Sequence, residues 1–331
     1  MSEIEFDDTR EESLSDSKKP KTSSFNINDA RGLAIEGGGV SGLTYAGFLQ
    51  AWEESGRSLS QWTHIAGSSA GAILACFIAV RAPLSWMEET LRKTDFNEFK
   101  DSSWNILEDL WELKNNYGWY DGKTLEKWLE ACLFETTGIK KITFAQAYEK
   151  YGTHLILTKT DVLYPRCKLV TMDHISHPDM TLAKAARTSS SIPIFFEAVK
   201  GKGPEKDHIF VDGGVLLNYP IELLKPHLPD SQIMGIYLTS ARELSENDGT
   251  LEYRPITGYV EFLKTIAKTW REQAMSRHIS PDDWLRTCNI ETTVKATEFS
   301  LSKERQDYTI NQGLDRGREF IRQFSHGKYF V

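Results

Sequence analysis

A serine flanked by glycines, set between a strand and a helix, constrains this chain more than any other feature. Thr63–Gly67 (THIAG) is a short apolar run suited to a strand, Ala70–Arg81 is an apolar helical run, and between them stands Gly67-Ser68-Ser69-Ala70-Gly71. A turn sharp enough to lift a serine oxygen clear of a sheet crowds the backbone on both sides. The positions two before and two after must therefore be small. Ser69 is the central residue and begins the helix, where free amides and the positive end of the dipole favour developing negative charge. A chain of this length meets G-x-S-x-G by chance about once in ten, so the flanking strand and helix carry much of the weight.

Two further glycine turns occupy equivalent places. Gly32–Glu36 reads as a buried strand and Leu43–Ser55 as a helix, and Gly37-Gly38-Gly39-Val40-Ser41-Gly42 joins them. Consecutive glycines let backbone amides approach a ligand oxygen, whether phosphate or oxyanion. A dinucleotide site needs an acid about 20 positions on, at the end of the next strand. That strand ends instead in Gly67, so a nucleotide-binding oxidoreductase lacks its second half. The third turn is Asp212-Gly213-Gly214, after the strand His208–Gly214 has carried its apolar IFV. An acid there either projects into the crevice above the sheet or is a turn residue bonding its own backbone. All three turns together, at strand ends, are improbable by chance by a factor on the order of a thousand.

The rest of the chain fits one large α/β domain. Of its 331 residues 40% are hydrophobic and 26% charged, the balance of a soluble globular protein. Strand, glycine turn, helix, repeated, is the rhythm of a mostly parallel sheet, continued by His154–Val162, Arg166–Met172 and Ile233–Thr239. Residues 84–150 read as a helical insertion containing a stripe from Trp104 to Leu113 and a helix at Lys123–Leu133. Ile256–His278 and Ser302–Phe324 read as amphipathic helices. Residues 1–27 are acidic and then Ser/Lys-rich, and are expected to form a disordered tail before a single domain over 28–331. No apolar run approaches the roughly 18–20 residues of a membrane span, and MSEIEFDDTR is not a secretory leader. A cytoplasmic protein is expected. Cys76, Cys132, Cys167 and Cys288 are scattered without a CxxC pair, which argues against a metal cluster or disulfide framework. A net charge of −8 without a basic stripe argues against nucleic acid.

These turns resemble the patatin-like phospholipase family. The similarity extends to GWYDGKTLEKWL (Gly118–Leu129), AKAARTSSSIPIFF (Ala183–Phe196), VDGGVLLNYPI (Val211–Ile221) and the final helix, and spans roughly residues 30–325. The resemblance implies a three-layer α/β fold with a mostly parallel central sheet flanked by helices. It implies that Ser69 is the nucleophile, Asp212 the proton acceptor, and Gly37, Gly38, Gly39 and Gly42 the oxyanion loop. Gly67 and Gly71 then shape the elbow and Gly213 and Gly214 support the acid. Two positions depart from the family pattern: Glu36 stands where Asp is common, and Ser41 where Arg or Lys is usual.

The implied chemistry is deacylation of phospholipids through an acyl-enzyme, needing neither metal nor cofactor, at a membrane surface reached peripherally and with an activator as a possible partner. Neutral lipids or lysophospholipids are alternative substrates, and a lipid-binding or storage protein is the non-catalytic alternative. A Ser-His-Asp triad would set its histidine late, at His278 or His326, but neither follows a strand in a glycine-marked loop. Lys200–Lys206 and the helix Ile256–His278 are candidate lipid-facing elements.

Overall fold

The computed structural model describes residues 25–99, 117–162, 166–240 and 279–325, with 297 and 299 excepted. The middle of the sheet is built from strands buried on both faces, as helical cover requires, while the antiparallel strands beside them are partly exposed. β1 (Gly32–Ile35) pairs in parallel with β2 (His64–Gly67), and β2 in parallel with β4 (His154–Asp161). On its other side β1 pairs with β9 (Ile233–Ser240), which pairs with β10 (Thr287–Thr292), again in parallel. The remainder is antiparallel: β5 (Lys168–Met172) and β8 (Ile209–Asp212) both run against β4, and β7 (Val199–Lys200) runs against β8. β3 (Gly118–Tyr120) and β6 (Ile194–Phe196) form a separate parallel pair.

Among the described residues the helices are α1 (Thr44–Glu54), α2 (Ala70–Ala79), α3 (Leu84–Lys93), α4 (Lys123–Thr137), α5 (Phe144–Tyr151), α6 (Leu182–Ser189), α7 (Pro281–Leu285) and α8 (Lys303–Ser325). The architecture is a mixed α/β sheet flanked by helices, as expected. The helix expected from Leu43 is preceded by a 3₁₀ turn over Gly39–Leu43, so the glycine loop runs directly into helical backbone.

One register decides where the ends of the strands meet. Leu157 of β4 faces both Gly67 of β2 and Met172 of β5, and Lys159 faces both Asp212 of β8 and Val170 of β5. A strand has two edges, so β5 holds one of them and β2 and β8 share the other. β2 arrives parallel to β4 and β8 antiparallel, and their C-terminal ends stop head to head. Two residues of β4 separate Gly67 from Asp212, a step of about 7 Å.

The expected tail boundary needs correction. Phe25 and Ile27, placed in the tail by composition, are buried, and Phe25 meets Phe324 of α8 edge-on with ring centroids 5.0 Å apart. Two apolar side chains following a polar stretch suffice to dock the segment. Residues 1–24, the Trp104–Leu113 stripe, the Ile256–His278 helix and His326 lie outside the described residues. No helix among the described residues is long and apolar enough to cross a membrane.

At the N-terminal ends of the strands, away from the glycine turns, four imidazoles gather. His64 and His154 are register partners, with rings 5.5 Å apart, and His227 and His174 lie 4.6 and 4.7 Å from His154. Burial, followed by the neighbouring His227 and His174, pushes His154 down to about 4, with Asp173 pulling weakly the other way. His64 is lowered by the same causes. In the unfolded chain His64 and His154 take up protons near pH 6.5 while in the folded protein they stay neutral, so the stability they contribute is complete above that pH and falls as pH drops from about 6.5 toward 4. Urea unfolding between pH 7 and 4.5 is expected to show this decline. His154→Gln should flatten it by up to about 1.4 kcal/mol per pH unit, and an unchanged slope would assign the acid sensitivity elsewhere.

Candidate functional site

The elbow is built around a strained residue. Ser69 has φ 52° and ψ −127°, a left-handed conformation held by a non-glycine residue at the head of α2. Its neighbours show why they are glycines: a β-carbon on Gly67 would lie 2.5 Å from the Gly71 carbonyl oxygen, and one on Gly71 would lie 2.4 Å from the Ile35 oxygen. The Ser69 amide donates to Ser189 Oγ at 3.1 Å, so the turn is fastened to the end of α6.

Asp212 closes β8 and is buried. Its Oδ1 accepts the Gly214 amide at 2.7 Å, the bond of a turn acid, and its own amide donates to the Ser191 oxygen at 2.9 Å. Gly213 sits against Thr158 of β4, where a β-carbon would come within 2.0 Å of Thr158 Oγ1. The turn-acid description is therefore correct as far as Oδ1 goes, and it fixes the plane of the carboxylate.

Two of the turns meet at Asn218, and Gly37 links them to the elbow. A β-carbon on Gly37 would lie 2.4 Å from Asn218 Oδ1 and 2.7 Å from Ser69 Cβ, while one on Gly214 would lie 2.4 Å from the same oxygen and 2.9 Å from Asp212 Oδ1. Asn218 Nδ2 donates to the Gly37 oxygen at 2.8 Å and to Glu36 Oε1 at 2.9 Å, and the Gly37 amide donates to the Asn218 oxygen at 3.0 Å. Glu36 is buried, and its Oε2 accepts the Leu238 amide at 2.6 Å, tying the loop to β9. Tyr45 donates its hydroxyl to the Glu36 carbonyl, and burial, then the nearby Glu36 charge, raise its phenol well above the ordinary range.

The glycine loop presents its amides. Among the described residues the N–H groups of Gly38, Gly39 and Ala70 have no acceptor, although those of Gly37 and Val40 are bonded. Gly39 is left-handed (φ 55°), and a β-carbon there would lie 2.2 Å from the Ala296 oxygen, which itself accepts the Val40 amide at 3.0 Å. Ser41 donates its hydroxyl to the Gly38 carbonyl and braces the turn internally. Gly42 packs on Tyr45. Amide donors without partners at the heads of the glycine loop and of α2 suit an anionic oxygen.

A narrow apolar cavity of about 100 Å³ adjoins these groups. Ser69, Ala70, Ile73 and Phe77 form one wall along a single face of α2, with Trp128 of α4 opposite, and Ser190 and Ile192 are the wall's continuation after α6. No described histidine lines the cavity. His208 bonds Asp161 and His177 faces Lys159, while the other four described histidines belong to the remote cluster. Burial pushes the thiols of Cys76, Cys132 and Cys288 up. Among the described residues no group of three His, Cys, Asp or Glu side chains is arranged to hold a metal ion.

Some features were not visible in sequence. Asn218, Ser189 and Ser191 lie in stretches with a family likeness, but nothing in their spacing marked them as the links between turns. The Lys200–Lys206 loop does expose Lys202 and Lys206, yet Glu205 turns inward, where both carboxylate oxygens hold the buried Lys159 Nζ at 2.9 and 3.0 Å. The loop is as much an ion-pair anchor as a basic edge.

Comparison with known proteins agrees with the fold. The model for the family "Patatin-like phospholipase" matches residues 33–225. The chain is 29% identical over 306 residues to the uncharacterized protein YqhO of Bacillus subtilis, covering 88% of this chain and 98% of that one. It is 28% identical over 112 residues to the probable lipid hydrolase 463L of invertebrate iridescent virus 6, covering 34% of this chain and 37% of that one. Among solved structures it is similar to VipD from Legionella pneumophila, with a TM-score of 0.57 and 16% identity, covering 90% of this chain and 68% of that one.

The strained backbone at Ser69 yields a direct test. Ser69→Gly removes the hydroxyl and the Cβ that makes a left-handed φ costly, and urea unfolding should show a gain of about 1 kcal/mol. A loss of stability would mean that the native backbone carries no strain at this position.

Proposed function

This chain belongs to the patatin-like phospholipase family, and we propose that within it the protein is a serine lipid acyl hydrolase of phospholipase A type, working through Ser69 and Asp212. The observation that carries this reading is the head-to-head meeting of β2 and β8 on one edge of β4, with Gly37 against both Ser69 and Asn218, and Asn218 against the glycine turn that follows the strand-end acid.

Ser69 attacks the ester carbonyl as Asp212 takes its proton. The tetrahedral oxyanion is received by the amides of Gly38, Gly39 and Ala70. The carbon–alkoxy bond breaks, Asp212 returns the proton to the leaving alcohol, and the acyl chain remains on Ser69 in the apolar cavity. A water then repeats the sequence, with Asp212 as its base, and releases the fatty acid. A carboxylate is a poor base for a hydroxyl in bulk water. What supports the two-residue site is its buried setting, where donors on the oxyanion act at low dielectric. Ser41 supplies no charge to the loop, so its amides alone supply that stabilisation.

Glycerophospholipids are the substrates this reading favours, met at a membrane surface from the aqueous side, with an activator left as a partner to be sought. Neutral lipids and lysophospholipids offer the same ester. The similarity to 463L supports lipid hydrolysis and no finer choice.

A fluorophosphonate probe should label the wild type and spare Ser69→Ala, while Asp212→Asn should lower hydrolysis of mixed phospholipids, followed by mass spectrometry of the products, by about a thousandfold. Undiminished labelling of Ser69→Ala would exclude this nucleophile, and absence of any labelling would favour a binding protein. Single replacement of each described histidine should leave activity within about tenfold; a loss near a thousandfold at any of them would point to a triad.

A further inference from the structure

Three consecutive serines leave α6, and each has a different environment. Ser189 Oγ accepts the Ser69 amide at 3.1 Å, and the Ser191 carbonyl accepts the Asp212 amide at 2.9 Å. One tripeptide therefore holds the backbones of both proposed reacting residues. It is itself fixed: the buried Arg187 guanidinium donates to Ser191 Oγ, to the Gly122 oxygen at 3.1 Å, to the Asp121 oxygen at 2.7 Å and to the Glu197 oxygen at 3.0 Å.

Ser190 is the exception. It is 6% exposed, its Oγ has no hydrogen-bond partner among the described residues, and it lines the cavity beside Ser69. Buried hydroxyls are nearly always paired, so an unpaired one facing an apolar cavity asks for a polar atom brought by a ligand. An acyl ester carries two oxygens. The carbonyl oxygen is received by the glycine-loop amides, which leaves the alkoxy oxygen, next to the Ser69 attack and the Asp212 proton.

We propose that Ser190 is a substrate-contacting residue whose hydroxyl donates a hydrogen bond to the alkoxy oxygen of the scissile ester, and that Ser189 is a positioning residue for Ser69; both rest on the Ser69–Asp212 reading. Ser190 keeps its proton throughout. As the carbon–alkoxy bond breaks and the bond to Ser69 Oγ forms, the hydrogen bond strengthens with the charge growing on the leaving oxygen, until Asp212 delivers the proton it took from Ser69.

The test compares an octanoyl glycerol ester with its thioester analogue. Sulfur is a weak hydrogen-bond acceptor, so Ser190→Ala should lower kcat/KM about tenfold on the oxyester and leave the thioester nearly unchanged. Its melting temperature should equal or exceed that of the wild type, because the hydroxyl bonds no described protein group. Ser189→Ala should slow both substrates alike and retard fluorophosphonate labelling of Ser69. An equal loss on both esters in Ser190→Ala, or a fall in its melting temperature, overturns the leaving-group contact. Oxyester hydrolysis that requires Ser69 but ignores Ser190→Ala refutes this inference alone; hydrolysis that survives Ser69→Ala refutes the parent reading, and cleavage of neither ester by the wild type refutes both.

Discussion

The site depends on a shared edge. β4 is longer than β2, and the part of its edge that β2 leaves open is filled by β8 arriving from the opposite direction. Backbone hydrogen bonds to one strand therefore set the distance between two groups some 140 positions apart in sequence. Side-chain packing at the gap has only to refine it. A register slip of β8 by one residue would also turn Asp212 to the other face of the sheet, so the face that Asp212 occupies is set by strand pairing.

Around that gap the chain is built almost entirely of backbone. Gly37, Gly67, Gly71, Gly213 and Gly214 each stand where a single added carbon would meet another atom at 2.7 Å or less. The density is what allows amides, a carbonyl and two side chains to share one small region, and Asn218 is its hub because its side-chain amide donates to Gly37 and Glu36 while its backbone carbonyl accepts the Gly37 amide. The cost of this crowding is local strain, and it falls on Ser69.

Much of this was legible from sequence, and for identifiable reasons. Short-range rules apply to the elbow, so Gly67, Ser69 and Gly71 were found from their spacing between an apolar strand and an apolar helix. The parallel strands were legible because double burial makes them apolar runs; the acid at 212 closes an antiparallel strand, and it stood out from an ordinary turn acid only beside the other two glycine turns. The roles of Asn218, Ser189 and Ser191 were not legible, since each acts through contacts with residues far away in the chain, and only the fold states which. Phe25 and Ile27 were lost in a polar tail whose average composition hid two buried side chains. Lys159 illustrates the same limit: an ammonium in the middle of a buried strand acquires its meaning only from Glu205 and the Phe210 ring beneath it, 3.7 Å from the charge to the ring centre.

The contact between Gly39 and Ala296 bears on when the protein becomes competent. Ser69 comes early in synthesis, Asp212 two-thirds of the way along, and the Ala296 carbonyl that grips the glycine loop later still, past β10. A growing polypeptide on the ribosome thus carries the serine long before the loop has its final brace. The glycine loop reaches its final geometry only as the last strand and the segment beyond it fold into place.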